Sequence, residues 1–231
     1  MNPGVYMVGT PIGHLGDLGL RALETLRSVD VILAEDTRHT ARLLARYEVR
    51  AALVSCHRFN EASRVRMVMD RVRSGARVAL VTNAGMPAVS DPGARMVRAC
   101  RREGIPVYVV PGPSAVTAAV AASGFGGGGF HFEGFLPRQA GSRTRRLVEL
   151  AAEPCPVVMF ESPYRVLTLM EELAVVLGTR EVFVGRELTK RNEECLWGTA
   201  AELGAEFARR VEGRAARPLK GEFVVVWAPA A

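Results

Sequence analysis

Lysine is nearly missing from this sequence. Of thirty basic residues all but Lys190 and Lys220 are arginine. A compact, titratable ammonium differs chemically from a guanidinium, so these two positions are candidates for chemistry that arginine cannot perform, with chance retention as the alternative. Cysteine is scarce as well. Cys56, Cys100, Cys155 and Cys195 stand far apart with no C-x-x-C, and of four histidines only His57 adjoins a cysteine. That spacing supports neither a metal site nor a disulfide framework, and free thiols suit a reducing cytosol. The longest apolar runs are strand-sized, so no membrane span is expected. The opening MNPGVYMVGTPIG has no basic stretch before an apolar segment, so no signal peptide is expected and a cytoplasmic location is. Aromatic residues make up only 6%, and few fall between the arginines of LPRQAGSRTRRL, 136–147, so a base-stacking platform is not indicated there. The apolar run that opens VALVTNAGMPAVSDPG, 78–93, is followed by neither G-x-G-x-x-G nor G-K-[ST], so its loop is not the usual dinucleotide or triphosphate loop.

What is present is a core. Apolar residues are 48% of 231, enough for one large domain or two small ones. The net charge of +6 favours an anionic partner, RNA first among them, unless it is only a surface excess in an arginine-rich chain.

Strand and helix signals alternate from the start. Short apolar runs at 5–8, 31–34, 53–56, 77–81 and 106–110 read as strands. Between them lie helical stripes such as Ala22, Leu23, Leu26 and Val29, and Val65, Val68, Met69 and Val72 after a cap at Asn60. This repetition predicts a parallel sheet covered by helices. The run GFGGGGF, 124–130, fits no helix or strand and reads as a linker. Beyond it come strands at 131–136, 156–161, 181–185 and 222–227, with helices through 147–150, 166–177 and 199–211. The expected organisation is an α/β class with an N-terminal parallel domain at 1–113, a connecting helix and glycine-rich linker at 114–130, and a C-terminal α/β domain at 131–231, with a ligand cleft between the domains.

Three glycine- and proline-containing loops leave strand ends in the first half: GTPIGHLGD (9–17), AGMP (84–87) and PGPSA (111–115). In a parallel sheet they share one edge, where a ligand crevice forms, and Ser114 would add a hydroxyl and a helix-terminal amide. Turning the chain is their other use. AEDTRHT supplies Glu35, Asp36, Arg38 and His39 on the same edge, either as a helix cap with a solvated face or as donors to a phosphate or ribose. SCHRFNE adds His57, Arg58, Asn60 and Glu61. In the second half FESPYR holds Glu161 and Arg165, RELTK holds Arg186, Glu187 and Lys190, and PLKGEF holds Lys220 and Glu222. Arg138, Arg143, Arg145 and Arg146 cluster beyond a glycine-containing turn, as phosphate contacts or as a solvated helix face.

VGTPIGHLGD, AEDTRHT, LVTNAGMPAVSDPG, VPGPSA, FEGFLPR, FESPYR, RELTK and KGEFVVV, in that order across nearly the whole chain, resemble the ribosomal RNA small subunit methyltransferase I family of the tetrapyrrole-methylase superfamily. The resemblance implies two α/β domains around an S-adenosylmethionine cleft, a homodimer, and 2′-O-methylation of a cytidine in the decoding region of 16S ribosomal RNA. It implies that Pro11, Asn83, Gly85, Met86, Pro87, Ser114 and Ala115 line the cofactor pocket, with Phe160 and Glu161 closing it. A sulfonium is cationic and phosphate-free, so carbonyl-rich turns suit it better than a helix N-terminus. Three departures stand out: Asn83 replaces the family's usual aspartate, His14 an asparagine, and Tyr164 a histidine. Loss of the charge at position 83 would weaken cofactor binding. RNA contacts are expected from Arg38, His39, Arg58, Arg138, Arg143, Arg145, Arg146 and Lys220.

A ribose hydroxyl is a poor nucleophile, so a base or a nearby cation should assist it. Lys190, Lys220, Glu187, Asp36 and His57 are the candidates, Lys190 on the expectation that Arg186 and Arg191 lower its pKa. Two other readings remain: a relative that methylates a corrinoid or other small molecule, and a non-catalytic RNA-binding assembly factor.

Overall fold

The computed structural model describes residues 1–212 and 219–230, which divide into two compact units, Met1–Ser114 and Ala115–Ala231. In the first, strands β1 (Gly4–Val8), β2 (Val31–Ala34), β3 (Ala52–Ser55), β4 (Arg77–Val81) and β5 (Val107–Val110) form one sheet in the order β3-β2-β4-β1-β5, every pair parallel. Alternation along each strand sends side chains to opposite faces. Tyr6, Val8, Ile32, Ala34, Ala79 and Val81 meet α1 (Leu20–Ser28) and α2 (Thr37–Arg46) on one side. Val5, Met7, Val31, Leu33, Val78 and Leu80 meet α3 (Glu61–Arg73) and α4 (Ala94–Arg102) on the other. A sheet covered on both faces explains the continuous apolar runs that marked its strands. Cys56 and Cys100 lie fully buried there as small hydrophobes, and burial pushes the Cys56 thiol up to about 11.

The second unit holds α5 (Ala115–Ser123), β6 (His131–Phe135), α6 (Ala140–Ala151), β7 (Val157–Glu161), α7 (Val166–Leu177), β8 (Glu181–Arg186), β9 (Glu194–Thr199), α8 (Ala200–Val211) and β10 (Phe223–Trp227). Its sheet, in the order β6-β7-β10-β8-β9, is mixed: only β6 and β7 run parallel among the described strands. Helices α6, α7 and α8 cover one face around Leu147, Met159, Leu169, Phe207 and Trp227. Helix α5 covers the other through Val116 and Ala119 against Val158, Phe183, Val224 and Val226.

Three expectations need correction. The helix at 115–123 read as a connector from sequence, but it is a core element of the second unit because its small residues let it lie close on the sheet. Strand β9 was hidden by its Glu194, Gly198 and Thr199, which break the apolar alternation; pairing with β8 from Glu181–Thr199 to Arg186–Glu194 forms it nonetheless. Gly141 lies inside α6 rather than in a turn.

Glu61 sets the last link of the first unit. Its carboxylate, at the start of α3 and almost fully buried, accepts the N–H of Gly93 at 3.1 Å and of Met96 at 2.8 Å. It thereby caps α4 across the fold and anchors the loop that begins at Thr82. Glu61→Ala would leave two amides unpaired at a buried helix end, and should cost about 2–3 kcal/mol in urea unfolding.

Candidate active site

The loops after β1, β4 and β5 are joined by backbone. Thr10 and Gly85 exchange both N–H···O=C bonds at 3.0 Å, and the Thr10 hydroxyl donates to the Thr82 carbonyl at 3.2 Å. Gly85 sits at φ +78°, a conformation that favours glycine. A Cβ on Gly9 would lie 2.6 Å from the Gly112 Cα and 2.7 Å from the Met86 sulfur. The first and third loops therefore touch main chain to main chain, and only glycine at both positions allows it.

Pro11, Gly85 and Pro87 are buried in this cluster, and Met86 packs against Gly9. The Asn83 Oδ1 is buried with no hydrogen-bond partner among the described residues. A buried acceptor without a donor is costly, so this atom suits a ligand that brings a hydroxyl or amine to it. Ser114 closes the third loop directly before α5, and Ala115 opens that helix in the second unit.

Sequence reasoning missed Asp91. Its carboxyl is pushed up to about 6, first by burial and then by the Glu35 carboxylate, against a hydrogen bond with Thr82. Its place between Ser90 and Pro92, within the loop that Glu61 anchors, was the available signal. Asp36, by contrast, caps α2, accepting the N–H of Arg38 at 2.8 Å and of His39 at 3.3 Å. Those bonds hold its carboxyl below the usual range, which makes it a poor base. Arg38 and His39 themselves are exposed. His57, just past β3, donates its backbone N–H to Asn60 Oδ1 at 2.7 Å, and its Nδ1 is buried and unpartnered among the described residues. Asn60, expected to cap α3, turns its side chain back on this loop instead, and Arg58 is exposed beside it.

In the second unit the expectation for Lys190 is reversed. Burial alone would lower its pKa, but hydrogen bonds from Nζ to Glu187 at 2.9 Å and to Glu222 at 3.0 Å outweigh it and raise the pKa above the ordinary lysine value. Lys190 is held protonated, so it is no neutral-amine base. Burial would raise the Glu187 carboxyl, yet Lys190 and the Glu222 N–H keep it below its normal value. Glu187 and Thr189 both have left-handed φ values, +52° and +66°, in a turn closed by Glu187 N–H to Glu222 C=O at 2.9 Å. Glu161 is buried, with Oε1 accepting from Arg165 and Ser162 while Oε2 has no partner among the described residues. Phe160 stacks edge-on with Phe132.

Two of the clustered arginines are engaged. Arg143 forks onto both oxygens of Glu172, and Arg146 onto Glu133 with a further bond to Glu149. Arg138, Arg145 and Lys220 are exposed.

A family model for tetrapyrrole (corrin/porphyrin) methylases matches residues 4–204. The chain belongs to the tetrapyrrole methylase family. By family it is a methyltransferase. It is 47% identical over 96% of both chains to the ribosomal RNA small subunit methyltransferase I of Thermotoga maritima. It is 40% identical to the protein of that name in Escherichia coli O157:H7, over 96% of this chain and 76% of that one. Among solved structures, uroporphyrin-III-C-methyltransferase from Thermus thermophilus superposes with a TM-score of 0.68 at 22% identity, covering 98% of this chain and 94% of that one. A cobalt precorrin-4 methyltransferase gives a TM-score of 0.67 at 23% identity, over 96% and 93%. These last two share the tetrapyrrole methylase fold.

The raised pKa of Asp91 has a stability signature. Unfolded, this group titrates near 4; folded, at about 6. The folded state holds its proton more tightly, so stability falls as pH rises from about 4 to about 6 and stays lowered above that. Asp91→Asn should therefore match the parent near pH 4 and melt about 2–4 °C higher at pH 7.5 in thermal scans.

Proposed function

We propose that this chain transfers a methyl group from S-adenosylmethionine to the ribose 2′-hydroxyl of a cytidine in 16S ribosomal RNA. The observation that carries the reading is the 47% identity, over 96% of both lengths, to a protein named ribosomal RNA small subunit methyltransferase I. The net charge of +6 agrees with an RNA partner. The tetrapyrrole-acting neighbours, at 22–23% identity, support the fold and not their own substrates. The reading carries with it a cytoplasmic location and a homodimer.

The residues of the first unit fit the cofactor. The Gly9–Gly112 approach and the Thr10–Gly85 pairing hold Pro11, Met86 and Pro87 in one cluster of turns, and Asn83 Oδ1 needs a donor. When bound there, S-adenosylmethionine supplies an activated methyl group on a sulfonium. The chain's own contribution is position and proton handling. Rigid loops hold the reactants in line, which is the larger share of rate in such a displacement. Asp91 is the carboxylate on this edge whose acidity suits a base near neutral pH: at about 6 it is mostly ionised at pH 7 and still basic enough to accept a hydroxyl proton. Lys190, held as an ammonium, serves as a fixed charge. Arg38, Arg58, Arg138 and Arg145 meet phosphates, whereas Arg143 and Arg146 hold α6 in place.

The deciding experiment is transfer of labelled methyl to small subunits that lack the modification, followed by mapping. Label on one cytidine ribose is expected; label on a tetrapyrrole acceptor instead, or no heat when S-adenosylmethionine is titrated in, would overturn the reading. Gly112→Ala, whose Cβ would lie 2.8 Å from the Gly9 carbonyl carbon, should weaken cofactor binding in that calorimetry. The expected loss is about tenfold or more, since the loops must move apart. Asp91→Asn should lower the single-turnover rate about a hundredfold while cofactor affinity holds.

A further inference from the structure

The turn after β3 exposes an aromatic ring that no cofactor loop uses. Phe59 is 81% exposed, and the Arg58 guanidinium lies over one face of its ring, 4.6 Å from the centroid. His57 meets the ring edge-on at 6.0 Å. An apolar ring exposed to water gains little from packing, yet the turn that carries this one is fixed by a set of hydrogen bonds. Asn60 clamps the turn by accepting the His57 N–H at 2.7 Å and donating to the Ser55 carbonyl at 3.3 Å. Arg64 Nε donates to the same carbonyl at 3.0 Å, and the N–H groups of Asn60 and Glu61 both reach the His57 carbonyl at 2.9 Å. Arg58 makes no ion pair among the described residues. The sequence argues against a stacking platform at the 138–146 arginine cluster; the exposure of Phe59 offers one at a different place, the turn after β3.

Register places this ring relative to the cofactor loops. Ser55 pairs with Ala34, and Ala34 with Val81, so the ends of β3, β2 and β4 stand level on one edge. Two strand spacings separate β3 from β4, about 10 Å. That is beyond the base attached to a ribose at the β4 loop and within reach of a neighbouring nucleotide. The exposed Arg38 and His39 stand on the intervening strand's loop.

We propose that the His57–Arg58–Phe59 turn is a subsite for an unpaired RNA nucleotide flanking the one that is methylated. The base stacks on the open face of Phe59, and Arg58, fixed on the opposite face, meets the adjoining phosphate. Single-stranded RNA is recognised in this manner because every base offers a π-face to an aromatic side chain. The cation on the far face strengthens the platform. This subsite rests on the RNA methyltransferase reading above.

The test compares the parent with Phe59→Ala and Phe59→Trp on small subunits lacking the modification, and on a single-stranded RNA oligonucleotide carrying 2-aminopurine beside the acceptor cytidine. Phe59→Ala should raise KM for the subunit about tenfold or more with kcat changed less than about twofold, and Phe59→Trp should restore it. Quenching of 2-aminopurine on binding should disappear with Phe59→Ala and return with Phe59→Trp. Unchanged S-adenosylmethionine affinity in calorimetry shows that the variant is folded. If Phe59→Ala matches the parent in KM and quenching, the subsite is refuted while the RNA methyltransferase reading stands. If the parent itself methylates no ribosomal RNA, both fall together.

Discussion

The site in the first unit depends on one steric fact: the main chains of Gly9 and Gly112 lie too close for any side chain between them. That approach ties the loop after β1 to the loop after β5, two strands that are neighbours in the sheet. The paired Thr10 and Gly85 then bring in the loop after β4, on the other flank of β1. Three loops far apart in sequence so behave as one rigid body. A site built this way can leave a polar atom such as Asn83 Oδ1 unpaired, because the surrounding backbone cannot relax to satisfy it.

Charge is organised by the same economy of partners. Many arginines of this basic chain are bound to carboxylates: Arg77 to Asp30, Arg143 to Glu172, Arg146 to Glu133, Arg186 and Arg210 to Glu194. The hydrogen bonds from Arg77 hold the Asp30 carboxyl down at about 2. What remains for an anionic partner are the arginines that stay exposed without such ties among the described residues, Arg58 and Arg145 included. Lys190 follows the rule rather than escaping it, since its ammonium is fastened to two glutamates. Rarity in the composition did not mark a neutral amine.

Much of the fold was legible. In the first unit the strands are buried on both sides, so each appears as an uninterrupted apolar run, and the five runs fell within one residue of the observed strands. Strand β9 escaped because an edge strand with one partner has no need of a continuous apolar face; its residues are mostly half-buried, and Trp197 is exposed. The loops after β1, β4 and β5 stood out by their glycines and prolines. Asp91 did not, since the acidity of a carboxyl depends on burial and on Glu35, a residue distant in sequence.

The sequence by itself determined the strand and helix periodicity, the places where the chain must turn, and the order of motifs that identifies the family, because these are local properties of backbone and side-chain pattern. The tertiary structure decided which charges are available, which carboxyl has its pKa raised, and that Phe59 faces water with the Arg58 guanidinium over one face. Those are properties of neighbours, and neighbours exist only once the chain has folded.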